Sequence, residues 1–230
     1  MRWHGLGTYK AENGKKLALV LEGQETHRLF DLVELFQVAT GATAVPTWTQ
    51  HGLSAVVSWV EANASLIELA DVASDLEVAG SIREIPHGIQ KLVEPFRPPR
   101  IFACASNYRE HAKEMGTVLA EKAESKPYMF IKASSAVIGP WQTVVIPRET
   151  EKPDWEVELG VVIGKSARRI SVDEALDYIA GYTVVNDVSA RDLTRRSDYP
   201  FKFDWFQGKS FDTFAPVGPW IVPSSVITDP

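Results

Sequence analysis

Glu156 and Glu158 stand two residues apart in DWEVELGVVIG, where Val157, Leu159, Val161 and Ile163 take the alternate positions. In a strand this alternation sends the apolar set to one face and both carboxylates to the other. Carboxylates side by side on one face repel each other, and a cation between them relieves the repulsion. A third acid, Asp187, lies in GYTVVNDVSARD, a second apolar run. Three oxygen ligands converging from two strands suit a hard divalent ion, Mg²⁺, Mn²⁺ or Ca²⁺. Each acid also has a plainer reading. Acid-x-acid is common on solvated sheet faces. Asp187 follows Val184 and Val185, which predict burial, and Asn186 or Arg191 could partner it structurally.

Other residue types in the chain can do chemistry. His111 lies in SNYREHAKEMG with Glu114 three residues on. On a helix the two share a face, and a carboxylate beside an imidazole fixes its tautomer and raises its basicity, as a general base for water requires. Among Arg109, Glu110 and Lys113 the same spacing also reads as a surface pair, and spacing alone favours that. Lys209 follows a glycine in QGKSFDTF, a turn that can present an ammonium to an anion, although Gly-Lys is frequent in exposed turns. FKFDWFQ before it lacks the glycine spacing of a phosphate loop. Arg191, Arg195 and Arg196 could hold an acidic substrate, with Arg195 and Arg196 reading as a solvated face. Cys104, the one cysteine, sits in apolar IFACAS and reads as a buried, inert thiol.

These groups need scaffolding. LALVLEG reads as a strand, RLFDLVELFQVA has helical spacing, and HGLSAVVSWVEANASLIELADVASDL reads as one or two helices with Trp59 on the apolar side. Pro95, Pro98 and Pro99 then favour an extended linker. The division falls near Pro99, giving a small α/β domain over 1–99 and a second domain over 100–230. The second part is richer in strands: IFACAS, YMFIKASSAVIG, TVVIP, WEVELGVVIG, YIAGYTVVNDVS and GPWIVPSSVI. Between the acids, Ser171 and Glu174 form a capping box, which predicts a helix through ALDYIAG closing on Gly181.

Composition bounds the rest. The 230 residues carry a net charge of −6 and no basic block, which argues against a nucleic-acid partner. One cysteine excludes an internal disulfide framework and a cysteine zinc cage. There is neither a signal-like apolar core nor an apolar run long enough to span a bilayer, so a cytoplasmic protein without a membrane partner is expected.

SNYREHAKEMG, KPYMFIKASSAVIGP, DWEVELGVVIGK, GYTVVNDVSARD and GKSFDTFAPVGPWIV, in that order, resemble the fumarylacetoacetate hydrolase family, and most closely its short acylpyruvase branch. The resemblance runs from about Ile101 onward. It implies a mixed α+β, mostly β architecture: a β-roll catalytic domain holding one divalent metal, usually Mg²⁺, behind a small N-terminal domain. It places the metal ligands on Glu156, Glu158 and Asp187 and the catalytic dyad on His111 and Glu114, against the reading from spacing. The family lysine falls on Lys209 and a contact to the substrate carboxylate on Arg191. A homodimer is expected on the same ground.

The activity implied is metal-dependent hydrolysis of a C–C bond in a 2,4-dioxo acid, giving pyruvate or a related 2-oxo acid and a carboxylate. The alternatives are a decarboxylase, hydratase or isomerase of 2-oxo acids on the same site, or a non-catalytic metal-binding relative or fragment. Three departures bear on this. Thr194 stands where many members have glutamine. TRRSDYPFKFDWFQ is longer and more aromatic than the compact version, which points to a different substrate. The T-G-T-P turn that closes the family's active site is absent before Pro230, so the end of the family fold is expected to be missing.

Overall fold

The computed structural model describes residues 2–105, 107–114, 116, 125–227 and 229, with the backbone alone at His111. Strands β1 (His4–Ala11) and β2 (Gly14–Leu21) form a hairpin in unbroken register, and β3 (Arg28–Asp31) pairs with β2. In β2 both faces are buried. Leu17, Leu19 and Leu21 pack under helices, while Ala18 and Val20 meet Leu29, Ile85 and Leu92 on the other side. The helices are α1 (Leu32–Thr40), α2 (Gly52–Val57) and α3 (Trp59–Val78). Asp31 caps α1 by accepting from the Glu34 N–H at 3.0 Å. Trp48, Trp59 and Leu66 fill the core between helices and sheet.

After β4 (Leu92–Val93), the chain forms β5 (Ile101–Ala105), α4 (Arg109–Glu114), β6 (Tyr128–Lys132), β7 (Val137–Ile138), β8 (Pro153–Asp154), β9 (Val157–Ile163), β10 (Ile179–Asn186), β11 (Ser189–Ala190), α5 (Trp205–Lys209) and β12 (Ala215–Pro223). The main sheet runs β3-β2-β1-β12-β10-β9, with β4 joined to β1 and β7 to β12. Two small ladders, β5 with β6 and β8 with β11, complete the sheet structure among the described residues. The mixed, strand-rich architecture agrees with the fold class expected. Among the described residues no helix is long and apolar enough to cross a membrane.

Several local expectations change. β1 is a strand the sequence hides, because Gly5 and Gly7 weaken strand propensity. They are small for a reason: a Cβ on Gly5 would lie 2.9 Å from the Trp220 ring on β12. The Ser171–Glu174 capping contacts form, but only a 3-10 turn over Ala175–Tyr178 follows, and Gly181 lies inside β10 instead of ending a helix. Ile179 already belongs to the ladder, paired with Ile163. TVVIP forms no strand, since the Val145 N–H donates to the Thr213 hydroxyl instead of to a neighbouring strand. The alternation in β9 is real, yet Val157, Leu159, Val161 and Ile163 are 49–63% exposed. β9 ends the sheet, and the polar side of the strand is the sheltered one.

Gly181 fixes how closely β10 lies against β12. A Cβ there would fall 2.2 Å from the Val222 carbonyl oxygen on the paired strand. Gly181→Ala is therefore expected to lower stability by about 1–3 kcal/mol through overpacking. Urea unfolding checks this, and an unchanged midpoint would show that the two strands can part at no cost.

Candidate metal and 2-oxo-acid site

Three elements deliver the acids. Glu156 sits between β8 and β9, Glu158 lies one pleat on in β9, and Asp187 follows β10. The Asp187 N–H donates to the Glu156 carbonyl at 2.8 Å, and the Glu156 N–H donates to Asn186 Oδ1 at 3.1 Å. The two segments are thus tied to each other next to the carboxylates. Glu156, Glu158 and Asp187 offer oxygens that all lie within 4.8 Å of one another. Asp187 is 1% exposed.

Two buried lysines flank them. Lys209, at the end of α5 and 6% exposed, donates to Asp187 Oδ2 at 2.5 Å and to Glu156 Oε2 at 2.6 Å. The Gly-Lys pair therefore lies in a packed helix and not in an exposed turn. A Cβ on Gly208 would meet Thr194 Cγ2 at 2.4 Å, so glycine lets α5 approach. Lys132, at the end of β6 and 2% exposed, donates to Asp187 Oδ1 at 2.5 Å and to the Val188 carbonyl at 3.2 Å. Burial pushes the Lys132 ammonium below the ordinary lysine range, and the Asp187 charge pulls the other way. Sequence reasoning missed Lys132, because a lysine ending an apolar strand looks like an exposed end. The small residues of ASSA just after it were the available sign of close packing.

Arg191 is not the partner of Asp187 that the structural reading offered. Its Nε donates to Asp154 Oδ2 at 2.8 Å, and a terminal nitrogen donates to Glu156 Oε1. Every carboxylate oxygen of Glu156 and Asp187 thus accepts from a cation. Glu158 differs: no cation among the described residues bonds to it. Burial, with Asp187 and Glu156 adding like charge, pushes its carboxyl up to about 7. Four carboxylates (Asp154, Glu156, Glu158, Asp187) face three cations (Lys132, Lys209, Arg191), and Glu158 is the acid short of a counter-charge. An all-oxygen donor set with one uncompensated carboxylate fits a divalent cation of the Mg²⁺, Mn²⁺ or Ca²⁺ type. The occupied oxygens keep second lone pairs for it.

The acids open into a cavity of about 590 Å³. Phe130, Phe203 and Trp205 form one wall, with the Phe130 and Trp205 rings 5.1 Å apart. Asn107 and Ala112 bring the α4 region to another side. Tyr108 anchors that region, its hydroxyl accepting from the Leu159 N–H at 3.0 Å. The His111 side chain lies outside the described residues. Glu114 is exposed on the same short helix. Thr194 lines the cavity, and its hydroxyl donates to the Arg191 carbonyl at 2.9 Å. Cys104 also lines it, half-buried, with burial and the Glu158 charge pushing the thiol up and so favouring its protonated form.

The model of the fumarylacetoacetate (FAA) hydrolase C-terminal domain matches residues 100–230. The chain belongs to the fumarylacetoacetate hydrolase family. Among its relatives, the mitochondrial oxaloacetate tautomerase Fahd2a of Rattus norvegicus is 36% identical over 154 residues, 66% of this chain and 47% of that protein. The chain spans about half the length of the curated relatives it matches. A fumarylacetoacetate hydrolase of Exiguobacterium antarcticum superposes with a TM-score of 0.70 at 26% identity, covering 96% of this chain and 67% of that one. A 5-carboxymethyl-2-hydroxymuconate delta-isomerase of Mycobacterium smegmatis gives 0.59 at 26% identity, covering 97% and 66%. Members of the family are enzymes acting on small-molecule acids, and they include isomerases and tautomerases as well as hydrolases.

Proposed function

We propose that this chain carries a divalent-metal-dependent 2-oxo-acid site and that it cleaves a C–C bond in a 2,4-dioxo acid. The observation that supports it is the acid triad with Glu158 short of a counter-charge at the floor of a cavity lined by Lys209. Glu156, Glu158 and Asp187 would hold the ion, Mg²⁺ by family resemblance. When bound, such an ion supplies Lewis acidity to the carboxylate and 2-oxo group of the substrate. Lys209, which lines the cavity, would donate to an oxygen that gains negative charge as the bond breaks. Lys132 holds Asp187 from behind and keeps its carboxylate oriented. α4, whose Ala112 lines the cavity, carries His111 and Glu114. His111 would take the proton of a water that attacks the 4-carbonyl, with Glu114 fixing its tautomer.

A second reading is proton transfer without cleavage, that is, tautomerisation or isomerisation of a 2-oxo acid. The names of the rat and mycobacterial relatives favour it. Both readings share the stabilised enolate and differ in whether water enters.

The test is Mg²⁺-dependent turnover of acetylpyruvate, a fumarylpyruvate-type acid and oxaloacetate, followed by pyruvate release and by enol absorbance. Pyruvate from a dioxo acid, lost at least about 100-fold in Glu156→Ala, supports the hydrolase. Enol–keto conversion of oxaloacetate without pyruvate supports the second reading. Turnover that ignores both EDTA and Glu156→Ala would remove the metal site from either.

A further inference from the structure

We infer that Tyr108 is a positioning residue: through its hydroxyl, the acid-bearing strand β9 sets where α4 stands, and with it the alignment of the helix that carries His111 and Glu114. This rests on the metal-dependent 2-oxo-acid reading above, in which that helix supplies the base. Tyr108 directly precedes α4, and its carbonyl accepts from the Ala112 N–H at 3.0 Å, a bond of the first helical turn. Its side chain spans 51 residues of sequence to accept from the Leu159 N–H, also at 3.0 Å. One residue thus bonds the helix with its backbone and the strand with its side chain. Leu159 follows Glu158, so the contact lands one peptide away from an acid of the triad.

The strand leaves that position open. β9 ends the main sheet and pairs with β10 along one edge. Backbone groups of an antiparallel strand alternate in direction, so Glu158 and Gly160 turn theirs to β10 while the Leu159 N–H points outward. A donor on a free sheet edge is a ready partner for an incoming acceptor.

α4 has little else to place it. Its six residues are too few to hold a helix by propensity alone. Among its described side chains only Ala112 is buried, and a single methyl group adds little contact. Arg109, Glu110, Lys113 and Glu114 are exposed. Asn107 and Ala112 line the cavity, whereas Tyr108 between them turns to β9. Tyr108 therefore acts on the reaction through α4 and not by contact with substrate. A catalytic group misplaced by about 1 Å loses on the order of 100-fold in rate, so one hydroxyl at the root of a short helix has leverage.

The experiment is Tyr108→Phe in the full chain, which keeps the ring and removes the acceptor. Two readouts are taken in Mg²⁺: kinetics on whichever of acetylpyruvate and oxaloacetate the parent turns over, and amide hydrogen exchange. kcat is expected to fall about 10- to 100-fold, while KM and the Mg²⁺ midpoint stay within about twofold. The Leu159 and Ala112 amides should exchange about tenfold faster or more, and the Gly160 amide, turned to β10, should keep its rate. A lower melting temperature with kcat and KM both unchanged would reduce Tyr108 to a structural role and overturn the inference. So would a shift in KM or in the Mg²⁺ midpoint at constant kcat, which marks direct contact with substrate or metal. Unchanged exchange at Ala112 would overturn it too, since α4 would then be held by other contacts. If the parent turns over neither acid, the 2-oxo-acid reading fails on its own. Ala112 exchange that still quickens in Tyr108→Phe then upholds Tyr108 as the residue that sets α4, and exchange that does not overturns it.

Discussion

Asp187→Ala is expected to cost the folded protein about 3–5 kcal/mol, the scale for removing one partner of a buried ion pair. Lys132 is 2% exposed, and among the described residues Asp187 is the one carboxylate to which an ion pair joins it. Without that acid its ammonium keeps only the Val188 carbonyl. Lys209 loses one of its two carboxylates as well. The sign of the pH dependence follows. A lysine with a folded pKa pushed below its unfolded value destabilises the fold most when charged, so the deficit is largest at low pH. It shrinks as pH climbs from the depressed value toward the unfolded value near 10.4. Lys132→Met in the Asp187→Ala background should restore much of the loss, since the uncompensated charge goes with it. Urea unfolding of the three variants across pH measures all of this. A deficit below about 1 kcal/mol with no pH slope would mean that water reaches Lys132 and that the pair is not buried in the energetic sense.

Glu158→Gln is expected to move stability and activity in opposite directions. In the metal-free protein Glu158 titrates near 7 because it is desolvated beside Asp187 and Glu156. Its folded pKa lies above the unfolded one, so the folded state holds the extra proton. Its contribution is fully present at low pH and is lost as pH rises through about 7. At pH 8 in EDTA, glutamine should therefore stabilise the fold by roughly 1–3 kcal/mol, the pKa displacement discounted for solvent screening. It should also erase that part of the pH slope. The same substitution removes the charge that a divalent ion needs. Millimolar Mg²⁺ should raise the melting temperature of the parent and leave the variant where it was, with turnover down at least about 100-fold. Metal affinity in the parent should weaken about tenfold per pH unit below 7, as protons compete for Glu158. A variant less stable than its parent in EDTA at pH 8 would show that Glu158 is compensated by something other than a metal.

How legible was this in the sequence? The acids were legible because period-two alternation is a local property. Glu156 and Glu158 share a face whatever the strand pairs with. The convergence of Asp187 was legible only as a possibility, and its partners were not. Asn186 and Arg191 were the near candidates by number, yet the groups that bind it, Lys132 and Lys209, come from 55 and 22 residues away. The helix expected after Ser171 failed because a capping box specifies a start and not a length, and the pairing of Ile179 with Ile163 took the residues that would have extended it. β9 shows a subtler limit. Its apolar face reads as core, but hydrophobic pattern tells which side chains lie together and not what covers them. The His111–Glu114 dyad came from resemblance alone, and its geometry lies outside the described residues.

The seam between β1 and β12 carries a consequence for synthesis. Leu6 pairs with Ile221 and Gly7 with Trp220, so β1 is joined to β12, a strand made far later. At the usual 5–20 residues per second, β1 waits roughly 10–40 s on the ribosome before its neighbour exists. During that interval one edge of the hairpin is open, with only two-residue β4 to cover part of it. A closure this distant in sequence is slow by topology alone. Nascent chains stalled between β11 and β12 should therefore be far more protease-sensitive near β1 than released ones, and holdase chaperones should find their target in that first hairpin.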